Sequence, residues 1–288
     1  MPTIFRKTIK LFLIDGETTG RMSAELSNWT GKAYKIPRNK VRESKDRTEL
    51  NGTGVYFLFG KDEDQNDAAY IGEAEDVLKR LNQHLKEKDF WNEVIVLTSK
   101  DDNLNKAHIK YLEHHFYQLA KKVGRYQIEN STIPALPSIS EPDQAEMEEF
   151  LLNSKQLIGT LGHKIFEEEV DRDDGNINNE ALFYIKSARG SDASMVRSSE
   201  GFVVLKGSKF ANPVVDSFSQ SSKKLRQSLI DKQELVFKDN ELILVKDRVF
   251  SSPSTAADMV TGRSANGLIE WKLKNGKTLR EVESVYRD

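Results

Sequence analysis

Two tyrosines, one arginine and one glutamate near the middle of the chain have the chemistry to act on a phosphodiester. Tyr56 closes the segment Gly54-Val55-Tyr56, and Tyr70 opens the segment Tyr70-Ile71-Gly72. Arg80 and Glu113 follow further along the chain. Hydrolysis of a phosphodiester needs a cation on the phosphate, an activated water and a stabilised leaving oxygen. The four side chains supply a candidate for each requirement.

Elementary chemistry limits what each group can do. The guanidinium of Arg80 is permanently charged and can donate two parallel hydrogen bonds to phosphate oxygens. A magnesium ion that keeps most of its waters can be held by one carboxylate, such as that of Glu113, together with substrate oxygens. A free tyrosine has a pKa of about 10, so Tyr56 is a poor base unless a nearby cation lowers that value.

Periodic apolar residues place these groups on two strands and two helices. The predicted elements are strands at 54–60, 68–71 and 94–97 and helices at 75–85 and 104–123. The expected order, strand, strand, helix, strand, helix, is that of a small α/β sandwich. Glu113 adjoins the apolar stripe of the second helix, so we expect its carboxylate at the edge of the core.

In type and order these residues resemble the GIY-YIG nuclease superfamily, in which the two tripeptides form paired strands. The resemblance implies a small αβ sandwich with a three-stranded antiparallel sheet, and an endonuclease that uses one Mg²⁺ or Mn²⁺ ion. Tyr56 matches the tyrosine that activates or positions the attacking water, and Tyr70 matches a second tyrosine that supports the phosphate or the water. Arg80 matches the arginine that binds the scissile phosphate. Glu113 matches the sole carboxylate that holds the metal.

Four supporting positions follow from the same resemblance: Gly54, Gly72, His84 and Asn130. His84 lies four residues after Arg80, hence on the same helix face, where many members have a polar group. Asn130 matches an asparagine that supports the site. The chain departs from the family pattern twice, since Val55 replaces an isoleucine of similar volume and the acidic loop 61–67 lengthens the hairpin. Neither departure removes a functional group.

Several alternatives remain open at the level of sequence. Either Tyr56 activates the water, or a metal-bound hydroxide attacks and Tyr56 only orients it. The chain could also be a nucleic-acid-binding or protein-interaction module that keeps the nuclease fold without turnover, or a phosphoesterase for small molecules. There is no glycine-rich phosphate loop and no His-Glu-x-x-His order, so an NTPase and a zinc protease are not expected.

Charge is distributed unevenly along the chain. With Lys and Arg counted against Asp and Glu, the net charge is +5 for residues 1–50, −3 for 51–140, −9 for 141–180 and +5 for 181–288. Basic segments are what a polyanionic partner requires, because phosphate contacts supply most of the nonspecific affinity. Nucleic acid is therefore the expected partner, with DNA favoured over RNA. The alternative is an ordinary solvated surface.

Four regions are expected from these patterns. They are an N-terminal extension with a strand and a basic helix (1–51), a GIY-YIG-like domain (52–140), an acidic helical connector (141–180) and an α+β C-terminal domain that could target the substrate (181–288). Both ends resemble segments that flank such nucleases, the C-terminal one being of unassigned function. Six basic residues are the candidates for binding nucleic acid: Arg38, Lys40, Arg42, Arg263, Lys272 and Lys274. The last three surround Trp271, which either joins a basic aromatic surface or packs in a small core.

Composition limits the remaining possibilities. The chain of 288 residues has no cysteine, which excludes disulfides, thiolate metal sites and a cysteine nucleophile. No apolar run approaches the roughly 20 residues of a membrane helix, and the N-terminal apolar run is too short for a signal peptide. We therefore expect a cytoplasmic protein without a membrane partner. One active site of this kind cuts one strand, so a homodimer is a possible arrangement for double-strand cleavage.

Overall fold

The computed structural model describes residues 6–101, 103–167, 182–198 and 200–284. The chain divides into two compact units, Met1–Glu167 and Glu168–Asp288. Each unit combines a multi-stranded sheet with helices, so the fold is mixed α/β, as predicted. None of the helices in the described residues is both long enough and apolar enough to span a membrane.

The first unit is built on a seven-stranded sheet. Its strands are β1 (Ile9–Leu13), β2 (Met22–Leu26), β3 (Gly31–Pro37), β4 (Gly54–Lys61), β5 (Asp67–Ala74), β6 (Trp91–Ser99) and β7 (Gln127–Ile128). They lie in the order β1-β2-β3-β6-β4-β5-β7. All neighbours are antiparallel except β5 and β7, which are parallel. The predicted strands form the segment β6-β4-β5, but the sheet is not limited to three strands, because four more extend it.

Three helices pack on this sheet, and each begins at a residue whose side chain caps it. They are α1 (Val77–Glu87), α2 (Lys106–Val123) and α3 (Glu141–Thr160). The side chains of Asp76, Asn105 and Ser140 accept hydrogen bonds from backbone N–H groups in the first turns. Gly124 ends α2 in the left-handed conformation, with a φ of 69°. The predicted boundaries of α1 and α2 differ from these by at most two residues.

The sheet buries a separate core on each face, because successive side chains of a strand point to opposite sides. Val55, Phe57 and Phe59 of β4 face α2 and α3 and belong to one core. Tyr56 and Leu58 face α1 and belong to the other. Every residue of β4 from position 54 to position 59 is therefore buried, which explains why this strand is a continuous apolar run in the sequence.

The N-terminal extension differs from the prediction in two ways. It is part of the same sheet as the following region, since β3 pairs with β6 along all seven of its residues. The expected basic helix is replaced by three short 3₁₀ helices, at Arg38–Lys40, Arg42–Asp46 and Thr48–Asn51. Val41 and Leu50 are fully buried beside them, so this irregular segment is anchored by apolar contacts as well as by its backbone turns.

The acidic connector is divided by the structure. Its helix, α3, belongs to the first unit, because Phe150, Leu157 and Ile158 pack into the core beneath β2 and β3. Trp29 contacts Phe150 with a distance of 4.8 Å between ring centroids. Residues 168–180 of the predicted connector lie outside the described residues.

The second unit contains its own sheet and core. Its strands are β8 (Phe183–Lys186), β9 (Asp192–Ser198), β10 (Gly201–Val204), β11 (Lys209–Phe210), β12 (Leu235–Lys238), β13 (Glu241–Leu244), β14 (Arg248–Phe250) and β15 (Lys272–Leu273). Its helices are α4 (Gln220–Asp231), α5 (Pro253–Thr261), α6 (Gly267–Glu270) and α7 (Leu279–Ser284). Six strands lie in the order β12-β13-β11-β9-β10-β14, and β8 joins β9 to β15. Trp271 is fully buried at the centre of this core.

Arg38 fastens the end of α1 to the start of β6. Its guanidinium donates hydrogen bonds to the backbone oxygens of Leu85 (3.0 Å), Lys88 (2.8 Å) and Trp91 (3.3 Å). The guanidinium carbon also lies 4.3 Å from the centroid of the Trp91 ring. A cation at the C-terminus of a helix complements the carbonyl groups that the helix leaves unbonded. The structure thus gives Arg38 a structural role, and its predicted contact with nucleic acid stays a prediction.

We expect Arg38→Ala to lower the free energy of unfolding by about 2 kcal/mol, because it leaves three partly buried carbonyls without their charged donor. The matched control is Arg42→Ala, since Arg42 is exposed on the next 3₁₀ helix and should change stability by less than about 0.5 kcal/mol. Urea unfolding of both variants measures the difference. Equal effects of the two substitutions would contradict the anchoring role of Arg38.

Candidate active site

The hairpin of β4 and β5 sets the positions of the two tyrosines. Tyr56 is opposite Gly72, and Tyr70 is opposite Leu58, so both tyrosines lie on the face covered by α1. Their ring centroids are 6.3 Å apart. A Cβ atom on Gly72 would lie 2.4 Å from the Tyr56 hydroxyl oxygen, closer than any real contact. Gly72 therefore has to be glycine for the Tyr56 ring to lie across β5.

Helix α1 brings a histidine to the same two rings. The Tyr56 hydroxyl and Nε2 of His84 are 2.8 Å apart, a buried hydrogen bond. The centroid of the His84 ring is 5.5 Å from that of Tyr56 and 5.3 Å from that of Tyr70. The two tyrosines and His84 thus form one aromatic cluster beneath α1.

His84 is held in its neutral form. Burial, followed by the charges of Arg80 and Lys88, lowers its pKa to about 4. The Glu87 carboxylate lies 3.7 Å from Nδ1, which favours a proton on that nitrogen. Nε2 then accepts the hydrogen bond, and the Tyr56 hydroxyl donates it.

Both tyrosines are protonated near neutral pH. Burial is the main cause that raises the pKa of Tyr56, and Tyr70 adds to it while the charge of Arg80 opposes it. Burial also raises the pKa of Tyr70, with Arg80 lowering it and Glu113 raising it. In the free protein each tyrosine is accordingly a hydrogen-bond donor and not a ready base.

Arg80 supplies a permanent positive charge beside the tyrosines. Its side chain is 38% exposed, and Nη1 donates to the side-chain oxygen of Gln83 at 2.9 Å. Burial acts to lower the pKa of Arg80, but its hydrogen bond to Tyr56 and its interactions with Tyr70 and Glu87 outweigh burial, so the pKa is raised. The guanidinium is charged and partly exposed, and an anionic ligand at this position would compete with the Glu87 carboxylate, which lies 3.9 Å from Nη1.

Glu113 reaches the same region from α2, on the other side of the sheet. Burial and the nearby charge of Glu73 raise its pKa to about 7, although Lys106 and Lys110 act in the opposite direction. The charge of Glu113 in turn raises the pKa of both Tyr56 and Tyr70. A carboxyl group with this pKa is about half protonated at neutral pH, and a bound cation would favour its ionised form.

The donor set around Glu113 fits one type of metal ion better than others. No group of three or more His, Asp or Glu side chains is arranged to hold a metal within the part of the chain that the structure describes. A tetrahedral zinc site needs at least three protein ligands, whereas a hydrated Mg²⁺ or Mn²⁺ ion can be held by one carboxylate. Glu113 would hold such an ion, with Glu73 contributing negative charge close by.

Two of the supporting residues act on the backbone of the hairpin. The Asn130 side chain accepts a hydrogen bond from the Ile71 N–H (3.0 Å) and donates one to the Ile71 oxygen (2.7 Å). This amide continues the pairing of β7 along the edge of β5 and fixes the residue between Tyr70 and Gly72. Gly54 is equally constrained, because a Cβ atom there would lie 2.7 Å from the backbone oxygen of Leu97 in β6.

The structure therefore brings the predicted residues of the hairpin and α1 into contact, and the charge of Glu113 on α2 acts on both tyrosines. It also adds three residues that sequence reasoning missed. Glu73 is held by Lys106 at 2.9 Å, at the edge of the region that contains Glu113. Lys88 places its ammonium 4.3 Å from the centroid of the Tyr70 ring. Glu73 could have been noticed because it directly follows Gly72. The sequence around Lys106 and Lys88 gives no indication that either residue belongs to the site.

Of the five other residues predicted to bind nucleic acid, two form ion pairs within the protein. Lys40 is paired with Glu43 at 2.8 Å, and Arg263 with Glu270 at 2.7 Å. Three of the predicted residues are exposed without a bond of this kind: Arg42, Lys272 and Lys274. The ring of Trp271 takes no part in a basic surface, because it is buried and its Nε1 donates to the Pro253 oxygen at 3.0 Å. The alternative of a packed tryptophan is the one observed.

Comparison with known proteins identifies only the C-terminal part of the chain. Residues 183–283 match the model of a family described as a domain of unknown function (DUF4357). This segment lies in the second unit and contains none of Tyr56, Tyr70, Arg80 and Glu113. Neither a curated protein nor a solved structure matches the chain.

The pKa of His84 predicts how stability depends on pH. Since the folded pKa is about 4 and the ordinary value is 6.5, only the unfolded state takes up a proton between these values. The contribution of His84 is therefore fully present above pH 6.5 and is lost as the pH falls towards 4. Between pH 7 and pH 4.5, the wild type should lose about 1–2 kcal/mol more of its free energy of unfolding than His84→Gln. Parallel losses in urea unfolding of the two proteins would contradict a buried neutral histidine.

Proposed function

We propose that this chain is a metal-dependent endonuclease of the GIY-YIG kind, which hydrolyses phosphodiester bonds in nucleic acid and acts primarily on DNA. One observation carries the proposal. Tyr56, Tyr70 and Arg80 adjoin one another around His84, and the charge of Glu113 acts on both tyrosines from a separate helix. These are the residue types that phosphodiester hydrolysis requires, gathered at one place from four elements.

The local fold supports the same assignment. The order β4, β5, α1, β6, α2 is the one expected for a GIY-YIG module, and β4 pairs antiparallel with both β5 and β6. We take the module to occupy the predicted residues 52–140, with β1, β2 and β3 extending its sheet and α3 covering part of one face. Those additions enlarge the core, and β3 contributes Tyr34 and Ile36 to the cluster that holds Tyr56.

Each side chain of the proposed site has a definite task. Arg80 binds a non-bridging oxygen of the scissile phosphate, where its charge offsets the negative charge that develops during attack. The Tyr70 hydroxyl donates a hydrogen bond to the phosphate or to the water beside it. Tyr56 is buried and protonated, and its hydroxyl donates to His84, so it would orient the attacking water by accepting a hydrogen bond from it and would not deprotonate it. This protonation state favours the second of the two alternatives for Tyr56.

Glu113 would hold the Mg²⁺ or Mn²⁺ ion. When bound, the ion neutralises phosphate charge and lowers the pKa of water, so that hydrolysis can proceed without a strong protein base. Because the pKa of Glu113 is about 7, protons compete with the ion for this carboxylate. Cleavage should accordingly need a higher metal concentration below neutral pH.

Cleavage of supercoiled plasmid tests the proposal. Wild-type protein should nick or linearise the plasmid with Mg²⁺ or Mn²⁺ and should be inactive with chelator. We expect Glu113→Gln and Arg80→Ala each to lower the rate by about 100-fold or more, because each removes a charge that stabilises the transition state. Glu146→Gln and Lys79→Ala are the matched controls, since both residues are exposed and lie outside the proposed site, and both variants should cut at the wild-type rate.

The same experiment can overturn the assignment. Metal-dependent cleavage that is unchanged in Glu113→Gln would show that the metal is held elsewhere. Loss of activity in the two control variants as well would show that general destabilisation, and not the site, explains the effect.

A second candidate function is a nucleic-acid-binding module that keeps this fold without turnover. The exposed lysines Lys272 and Lys274 in the second unit favour it, because exposed cations bind phosphate without any need for catalysis. Binding of DNA or RNA with no cleavage under any metal would support this alternative. In the leading proposal the second unit instead holds or selects the substrate that the first unit cuts.

A further inference from the structure

Strand β1 ends the sheet of the first unit with an unusually apolar surface. Among the described residues it pairs with β2 alone, so its other edge is open. Leu11 is 53% exposed, Phe12 60% and Leu13 36%. Natural edge strands are usually short, bulged or charged, because an open apolar edge pairs readily with another strand. β1 carries one charge, that of Lys10.

The hydrogen bonds to β2 determine which backbone groups of β1 are free. Ser27 donates to the Thr8 oxygen (3.1 Å), and Ile14 donates to the Arg21 oxygen (2.9 Å). Hydrogen-bonded pairs alternate along an antiparallel ladder, so the even-numbered residues of β1 bond to β2.

The odd-numbered residues of β1 consequently point their backbone groups away from the sheet. Ile9 and Leu11 offer both an N–H and an oxygen at the open edge. Leu13 offers its N–H, while its oxygen accepts a hydrogen bond from Gly16 at 3.2 Å. This is a ready template for one more antiparallel strand.

We propose that a second copy of this chain pairs with β1 around a two-fold axis at Leu11. Leu11 then lies opposite Leu11 of the second copy, and each forms a hydrogen bond to the other. The Leu13 N–H of each copy donates to the Ile9 oxygen of the other. Four backbone hydrogen bonds thereby form with groups that β2 leaves free.

The side chains fit this register and disfavour its neighbours. With the axis at Leu11, Lys10 of each copy lies opposite Phe12 of the other, so the lysine stem and ammonium contact an aromatic ring. An axis at Lys10 would place two lysines opposite each other, and an axis at Phe12 would leave Ile9 and Lys10 outside the five-residue pairing. The register at Leu11 is the one that pairs all five residues of β1 and brings no like charges together.

Pairing through β1 does not depend on the proposed nuclease activity, because it involves β1 alone. It does bear on that activity, since pairing joins the two sheets edge to edge. At about 4.8 Å per strand, the two hairpins that carry Tyr56 and Tyr70 would lie roughly 40–50 Å apart across the joint sheet. In such a dimer the two candidate active sites would reach phosphates that are far apart along a nucleic acid. They would not reach the two facing strands at one double-strand break.

Two charge variants at one exposed position test the register in the full-length protein. Phe12→Glu places a carboxylate opposite Lys10 in both cross-strand pairs, whereas Phe12→Lys places a second ammonium there. Sedimentation velocity should show a wild-type dimer, and its dissociation constant should be about tenfold higher for Phe12→Lys than for Phe12→Glu. A wild type that stays monomeric at tens of micromolar overturns the proposal. Equal dissociation constants for the two variants overturn the register, because association through the apolar patch alone would respond equally to either charge.

Crosslinking gives a second measurement, since the chain has no native cysteine. Leu11→Cys should form a disulfide-linked dimer readily under mild oxidation, because its two copies face each other within the Cα separation that a disulfide tolerates. Phe12→Cys is the matched control, since its two copies are diagonal neighbours about 7–8 Å apart and should crosslink several-fold less. Crosslinking that is equal in the two variants would contradict the axis at Leu11.

Discussion

The buried hydrogen bond between the Tyr56 hydroxyl and His84 is the interaction on which the candidate site depends. It requires a tyrosine on a strand, a histidine on a helix, and a position without a side chain against the tyrosine ring. Gly72 supplies that position, because any side chain there would displace the Tyr56 ring. Asn130 holds the backbone next to Gly72 through both hydrogen-bonding groups of Ile71. The tyrosine is thus fixed from three directions before any substrate arrives, which is the preorganisation that a catalytic site needs.

Charge at the site is arranged around this neutral centre. Tyr56 and His84 are uncharged near neutral pH because burial opposes their ionised forms. Arg80 and Glu113 are ionisable groups that are only partly buried, and they come from helices on opposite faces of the sheet. A phosphate between them would meet a fixed cation on one side and, with a bound ion, a second cation on the other. This division between a buried neutral pair and partly buried ionisable groups is the physical basis of the proposed function.

Sequence patterns predicted the central elements because those elements are strongly periodic. Strand β4 is a glycine-bounded apolar run, and α2 has a regular apolar stripe, so both were located to within two residues. Strand β3 was missed because Lys32 and Lys35 interrupt its apolar pattern, although their neighbours Ala33, Tyr34 and Ile36 are buried. The role of Arg38 could not be predicted at all, since its partners lie about fifty residues away along the chain. For the same reason, the influence of Glu73 on Glu113 exists only in the folded state.

The proposed site requires one divalent ion bound at Glu113, beside Arg80 and the two tyrosines. Anomalous diffraction from crystals soaked in Mn²⁺ tests it most directly, because the signal locates the ion without any assumption about activity. If Glu113 holds the ion, a single strong peak should lie within bonding distance of its carboxylate oxygens and be absent from crystals of Glu113→Gln. A peak held elsewhere in the first unit, or no peak at Glu113 at saturating Mn²⁺ and a pH above 7, would contradict it.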